Sequence, residues 1–334
     1  MRIIIDVMGG DKAPVEILKG VYSAAEECDA EFTLVGNKDD IVRISNDIGL
    51  DISKFEVVHA ASVITMEDDP ITVYKRKSDS SMMVGLKMLA DGKGDAFVSA
   101  GNTGALFMGA TFIVKKADGI LRAAIGTVIP GEETFLLLDA GANISVTPEY
   151  LEQFAIMGSA YMKKMYDIEE PAVGLLNNGT EDCKGTSLQI EANDRLKKCT
   201  AIKYIGNVES NAVMFGACNV LVTDGFSGNI FLKTIEGTSK LLMKSLKKAY
   251  AKNFINKFSA LLFKNSILKI KQNFDPSEHG GSPILGIAKP VIKAHGSSDA
   301  KAIKNAVKQA IKYSKSGVTG DISEAVKTFH IKKA

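Results

Sequence analysis

The chain has 334 residues, of which 46% are hydrophobic and 24% charged, and its formal net charge is +2. That size and balance fit a globular protein with an ample core and rule out a collagen-like, low-complexity or disordered chain. No apolar run reaches the roughly 20 residues needed to cross a bilayer, and no aromatic residues are interleaved with basic ones as an RNA platform requires.

The small net charge conceals an asymmetry. Nine Lys and no Asp or Glu lie between Gly237 and Phe274, which leaves 32 basic against 39 acidic groups elsewhere. A basic segment on an acidic body points to one particular anionic surface, and nucleic acid is not an expected partner. The four cysteines (Cys28, Cys183, Cys199, Cys218) show no CxxC pair or zinc-type spacing, which reads as reduced core thiols of a cytoplasmic protein.

From the amino terminus, β-branched apolar runs predict about ten strands. They lie near 2–6, 32–36, 55–59, 95–99, 125–129, 134–139, 172–176, 202–205, 219–223 and 290–294. Helical spacing follows at Val15 to Glu27, Ser80 to Leu89, Gly104 to Lys115, Pro148 to Tyr166, Lys184 to Lys197 and Ser298 to Lys315. Strands alternating with helices predict an α/β fold with a largely parallel sheet. No flexible linker interrupts the pattern, so residues 1–334 read as a single catalytic unit. Residues 237–275 read as a basic amphipathic helical hairpin within that unit. Phe254, Phe258, Leu261 and Leu262 share one side of it, suited either to packing on the core or a partner subunit, or to contact with anionic lipid.

Seven segments share one layout, a short apolar run ending in Gly, Asp, Asn and Ser. They surround Met8–Asp11, Ser99–Gly104, Asp139–Asn143, Asn177–Glu181, Thr223–Asn229, Gly280–Pro283 and His295–Ser298. Small residues at strand ends let backbone N–H groups approach anionic oxygens. Their number predicts one binding crevice at the carboxyl edge of a sheet.

Familiar catalytic signatures are missing. There is no GxxxxGK[ST], no GxGxxG with its acidic ribose ligand, no GxSxG and no HExxH. What remains is a site that binds an anion and works by positioning and electrostatics, and neither cofactor nor metal is expected.

Taken together, the loops closely resemble the PlsX family, acyl-ACP:phosphate acyltransferases of bacterial phospholipid synthesis. The matching strings include Asp6-Val7-Met8-Gly9-Gly10-Asp11, Ser99-Ala100-Gly101-Asn102-Thr103-Gly104, Asp139-Ala140-Gly141-Ala142-Asn143, Lys184-Gly185, Thr223-Asp224-Gly225-Phe226-Ser227-Gly228-Asn229 and His295-Gly296-Ser297-Ser298. Ser227 departs from the pattern, where Thr is usual. The resemblance implies a three-layer α/β/α fold with one large, mixed, mostly parallel sheet. That fold is similar to isocitrate/isopropylmalate dehydrogenases and phosphotransacetylases, and it implies a homodimer. It also implies transfer of a fatty acyl chain from acyl carrier protein to inorganic phosphate. The acyl phosphate would go to a membrane glycerol-phosphate acyltransferase, so the protein would be cytoplasmic and peripherally membrane-associated.

On that reading Lys184, Asn229 and His295 are the candidate catalytic residues. Lys184 would neutralise phosphate or an oxyanion, Asn229 would orient phosphate, and His295 would protonate the leaving thiolate. Each has a plainer alternative: a solvated helix-start lysine, a helix N-cap, and a structural histidine. The candidate substrate-binding residues are Gly9, Gly10, Asp11, Ser99, Gly101, Asn102, Thr103, Asp139, Asn143, Asp224, Gly225, Ser227, Gly296 and Ser297. The aspartates among them, with Asp6, read mainly as loop organisers. A short-chain phosphotransacetylase, a dehydrogenase on the same scaffold and a non-catalytic membrane scaffold remain as competing functions.

Overall fold

The computed structural model describes residues 1–251 and 280–333. Phe254, Phe258, Leu261 and Leu262, with most of the expected hairpin, lie outside the described residues. The first half of the chain runs β1 (Arg2–Asp6), α1 (Val15–Ala25), β2 (Glu31–Gly36), α2 (Lys38–Asp47), β3 (Glu56–His59), α3 (Pro70–Arg76), α4 (Ser81–Ala90), β4 (Ala96–Ser99) and α5 (Thr103–Gly109). A π-helical turn at Ala110–Val114 leads to β5 (Ala124–Ile129), β6 (Phe135–Leu138) and α6 (Pro148–Tyr166). Next come β7 (Ala172–Asn177), α7 (Ser187–Lys197), β8 (Lys203–Glu209), α8 (Ser210–Val213), β9 (Val220–Val222) and the long α9 (Gly225–Ala251). From residue 280 onward come β10 (Ser282–Leu285), β11 (Val291–Lys293), α10 (Ala300–Ser316) and α11 (Val318–Lys333).

The described strands join in one eleven-stranded sheet, in the order β3-β2-β1-β4-β11-β10-β5-β6-β9-β7-β8. Alternation along the strands explains why it sits between two helical layers. Ile3 and Ile5 of β1 enter a core with α1, α6 and α10, while Ile4 enters the opposite core with α4 and α5. Buried on both faces, the strands read as continuous apolar runs, which made them visible in the sequence.

The three antiparallel contacts, β11–β10, β10–β5 and β5–β6, bear on function. They reverse the direction of the sheet, so β6, β9, β7 and β8 run opposite to β3, β2, β1, β4 and β11. The expectation of one common carboxyl edge is therefore corrected: the loops leave the sheet in two groups. The segment at Gly280 to Pro283 belongs to neither. Its Ser282 and Pro283 pair with β11 as the start of strand β10.

Candidate functional site

The first group follows β1, β4 and β11. Residues Asp6, Ser99 and Lys293 are level across these strands by register and are all buried. Ser99 Oγ donates to Asp6 Oδ2 at 2.6 Å and accepts the Gly101 N–H at 3.0 Å. Asp6 also accepts the Met8 N–H, as a loop organiser should. Burial raises its pKa, opposed by hydrogen bonds from Ser81 and Ser99.

The glycines here permit close backbone approach. A Cβ on Gly9 would meet Asp6 Oδ2 at 2.5 Å and Gly101 N at 2.8 Å, and Gly10 has a φ of +110°. Asp11 N–H donates to Gly296 O at 2.8 Å, closing the β1 loop onto the β11 loop.

Asn102 differs from its expected role. Its Oδ1 caps α5 by accepting the Ala105 N–H, and its Nδ2 lies within 3.2 to 3.4 Å of the carbonyls of Thr65, Met66 and Asp68. The side chain is fully occupied in tying down the 65–68 loop, which leaves exposed Thr103 as the free polar side chain of that pair.

His295 is exposed, and its Nδ1 accepts the Ser297 N–H at 3.2 Å with Ser297 Oγ at 2.9 Å. With Nδ1 accepting, the neutral ring carries its proton on Nε2. Burial of part of the ring lowers its pKa, and Lys233, Lys293 and Lys240 push the same way against Glu236. The shift favours the neutral ring, whose Nε2–H is a donor.

The second group follows β6, β9 and β7. Asp139 is buried and accepts N–H bonds from Ile125, Gly141, Ala142 and Asn143, plus one from Asn143 Nδ2. Burial raises its pKa, opposed by those donors. Asn143 also donates to Ala123 O and accepts from Arg122 Nε. Both are scaffold, and the Arg122 guanidinium that Asn143 holds is a cation that the sequence reading missed.

Asp224 caps α9 by accepting the Ser227 N–H at 2.8 Å, and Gly225 N–H donates to Asn143 O at 2.7 Å. The cap is therefore Asp224, so Asn229 is not the N-cap. It sits one turn into α9, exposed, with its side chain 3.4 to 3.7 Å from where a Gly141 Cβ would be.

Lys184 is exposed in the loop before α7 and not inside that helix. Its backbone is held by Glu181 O and Asn177 Nδ2, and its stem lies over Gly179. Strand register places Asn177 level with Asp224, so the loop that carries Lys184 and the start of α9 that carries Asn229 follow neighbouring strands on one edge.

Helix α9 joins the two groups. Asn229, Lys233, Glu236 and Lys240 fall at i, i+4, i+7 and i+11, which is one face of a helix. Phe231, Leu232 and Ile235 on the other side pack on the core. Because His295 feels Lys233, Glu236 and Lys240, the polar face runs from the second group toward the first. Sheet twist of roughly 20–25° per strand, accumulated over the five steps from β4 to β9, accounts for how oppositely directed ends lie along one helix. Arg122 and Lys184 in the loops, Lys233 on α9 and the glycine-loop amides are the kind of groups suited to an anion beside a carbonyl that must be polarised.

Solved structures place the architecture in a class. A phosphotransacetylase from Streptococcus pyogenes matches with a TM-score of 0.60 at 18% identity, covering 94% of each chain. A branched-chain phosphotransacylase from Enterococcus faecalis matches at 0.55 and 16%, covering 93% of this chain and 99% of that one. The fold is thus the phosphotransacetylase type.

A family model described as "Fatty acid synthesis protein" matches residues 1–320, and the chain belongs to that family. Relatives named phosphate acyltransferase occur in Thermotoga maritima, 46% identical over 98% of this chain and 97% of its own length, and in Thermoanaerobacterium thermosaccharolyticum, 45% identical over 93% and 92%. A third, from Clostridioides difficile, is 40% identical over 99% and 97%.

Proposed function

We propose that the chain transfers a fatty acyl group from the thioester of acyl carrier protein to inorganic phosphate. One observation carries the reading: likeness to phosphate acyltransferases at 40–46% identity spans nearly the whole chain, the site loops included. Phosphate is nucleophilic at neutral pH and thiolate is a fair leaving group, so no enzyme-bound acyl intermediate is required.

A phosphate oxygen attacks the carbonyl, the new C–O bond forms as C–S breaks, and the thiolate takes a proton. Lys184, Arg122 and Asn229 hold phosphate, and the neutral His295 Nε2–H faces the developing charge. Ser99, Asn102, Asp139 and Asn143 shape the loops, while Gly9, Gly10, Gly101, Gly225 and Gly296 let amides approach.

Acyl phosphate is greasy and labile, so it is handed to a membrane glycerol-phosphate acyltransferase. The basic 237–275 segment of a homodimer meets the anionic surface there. Supporting this, α9 extends into the segment with Leu241 and Leu242 exposed beside Lys240 and Lys244. Among the described residues, no helix is long and apolar enough to cross a membrane.

Incubation of the purified protein with phosphate and palmitoyl-carrier protein, trapping product with hydroxylamine, tests the reaction. Phosphate-dependent palmitoyl hydroxamate is expected, with far less product from acetyl-CoA. Absence of any phosphate-dependent product would refute it.

A further inference from the structure

Lys293 was assigned no role by its sequence context, yet it is the charged end of a buried polar row. Only 7% of it is exposed, and Asp6 and Ser99 beside it are each 1% exposed. Its neighbours Val291 and Ile292 are fully buried strand residues, so a lysine at this position is costly unless its ammonium is used. Its Nζ donates to Ala100 O at 3.2 Å and to Ala294 O.

Those two carbonyls belong to the peptides that lead directly into Gly101 and His295, one in each adjoining site loop. A trans peptide sets N–H opposite to C=O, so drawing Ala294 O to the ammonium turns the His295 N–H away from it.

We propose that Lys293 is a positioning residue: its ammonium clamps the Ala100 and Ala294 carbonyls and so fixes the β4 and β11 loops, with His295, against the substrate. This rests on the acyl-transfer reading above and deepens it. Removing the charge frees two peptides at once and leaves Asp6 without its compensating cation.

The groups facing Lys293 are Asp6 on β1 and Asp11 in the loop after it, Ser99 on β4, and His295 in its own loop. Lys233, Glu236 and Lys240 of α9 lie beyond His295. Burial brings the Lys293 pKa down to about 8, opposed by Asp6 and Asp11. Below that pH the ammonium holds both carbonyls with charge-assisted hydrogen bonds, and above it the neutral amine holds them more weakly.

The test is the pH dependence of palmitoyl transfer in the full-length wild type, Lys293→Arg and Lys293→Met, with the His295 ring titration followed by NMR. Wild-type kcat is expected to fall above about pH 8 by up to tenfold per unit, with KM for phosphate nearly constant. Lys293→Arg stays charged, so it keeps the plateau rate within about threefold and moves the falling limb up by a unit or more. Lys293→Met lowers the plateau by on the order of 100-fold, removes the limb and raises the His295 pKa.

A folded Met variant with wild-type turnover, or an Arg variant whose limb stays near pH 8, would overturn the proposal. Should the Met variant not fold, the wild-type and Arg curves decide. A wild type with no transfer at any pH would instead defeat the proposed reaction. The His295 pKa in Lys293→Arg would still judge the lysine: it stays near the wild-type value if the clamp is right and shifts if it is not.

Discussion

Asn229 and Lys184 are both exposed, so truncating either removes a polar contact without opening a cavity in the core. Alanine at each is expected to lower kcat by about 100-fold or more while the thermal midpoint stays unchanged. Turnover measured on both variants at full activity would misplace the phosphate site. The motif strings pointed to these two residues and to the loop aspartates, whose hydrogen bonds show them as organisers at Asp6, Asp139 and Asp224. Other side chains could not be assigned in this way. Asn102 sits in a ligand-type loop, but its bonds to the 65–68 carbonyls come from a segment 34 to 37 residues away. Arg122 has no motif around it and acquires its place through Asn143. Lys293 did leave a signal, a lone cation within an otherwise apolar strand, and such a residue is worth testing as a functional group.

The start of α9 depends on glycine. A Cβ on Gly228 would stand 1.9 Å from Asp139 O and 3.0 Å from Thr223 Cγ2, where no L side chain fits. Gly228→Ala is expected to destabilise the fold by about 3 kcal/mol and to abolish transfer by lifting Asn229 off the Gly141 loop. Equilibrium unfolding checks the first effect, and a neutral change would mean that the helix is not docked as described. Most elements were legible because their local signals agree with their environment. Pro148 and the Thr147 cap, which accepts the Tyr150 N–H at 3.3 Å, begin α6 where the periodicity begins. Strand β10 was hidden by its opening Gly280-Gly281-Ser282-Pro283, which reads as a turn. Pro283 is tolerated because β10 meets β11 through Ser282 and Pro283 but meets β5 only through Ile284 and Leu285. In α9, Gly237 looked like a boundary, yet the helix passes through it from Gly225.

The reversal of strand direction at β10, β5 and β6 was invisible to local periodicity, because antiparallel contact is decided by pairing between distant segments. It matters because it replaces one shared edge by two loop groups that meet along α9. The two ends of the chain close on each other as well. Glu27, just past α1, contacts Lys304 and Lys308 of α10, and Glu16 accepts the Ala300 N–H at 2.9 Å. Lys304 first, then Lys308, hold the Glu27 pKa down at about 2, from an ordinary 4.5. Its contribution is thus present above pH 4.5 and is lost as pH falls toward 2. Glu27→Gln should lose that acid-limb difference in thermal midpoint, most visibly at low salt, and equal acid curves for the two proteins would dismiss the link. Joining both loop groups into one working site is the larger claim. A crystal structure of the full chain with phosphate bound decides it. The anion should contact Asn229 Nδ2 and a cation of the second group, with the His295 ring turned toward the same space across α9. Phosphate held elsewhere, with neither Asn229 nor Lys184 near it, would contradict the assignment.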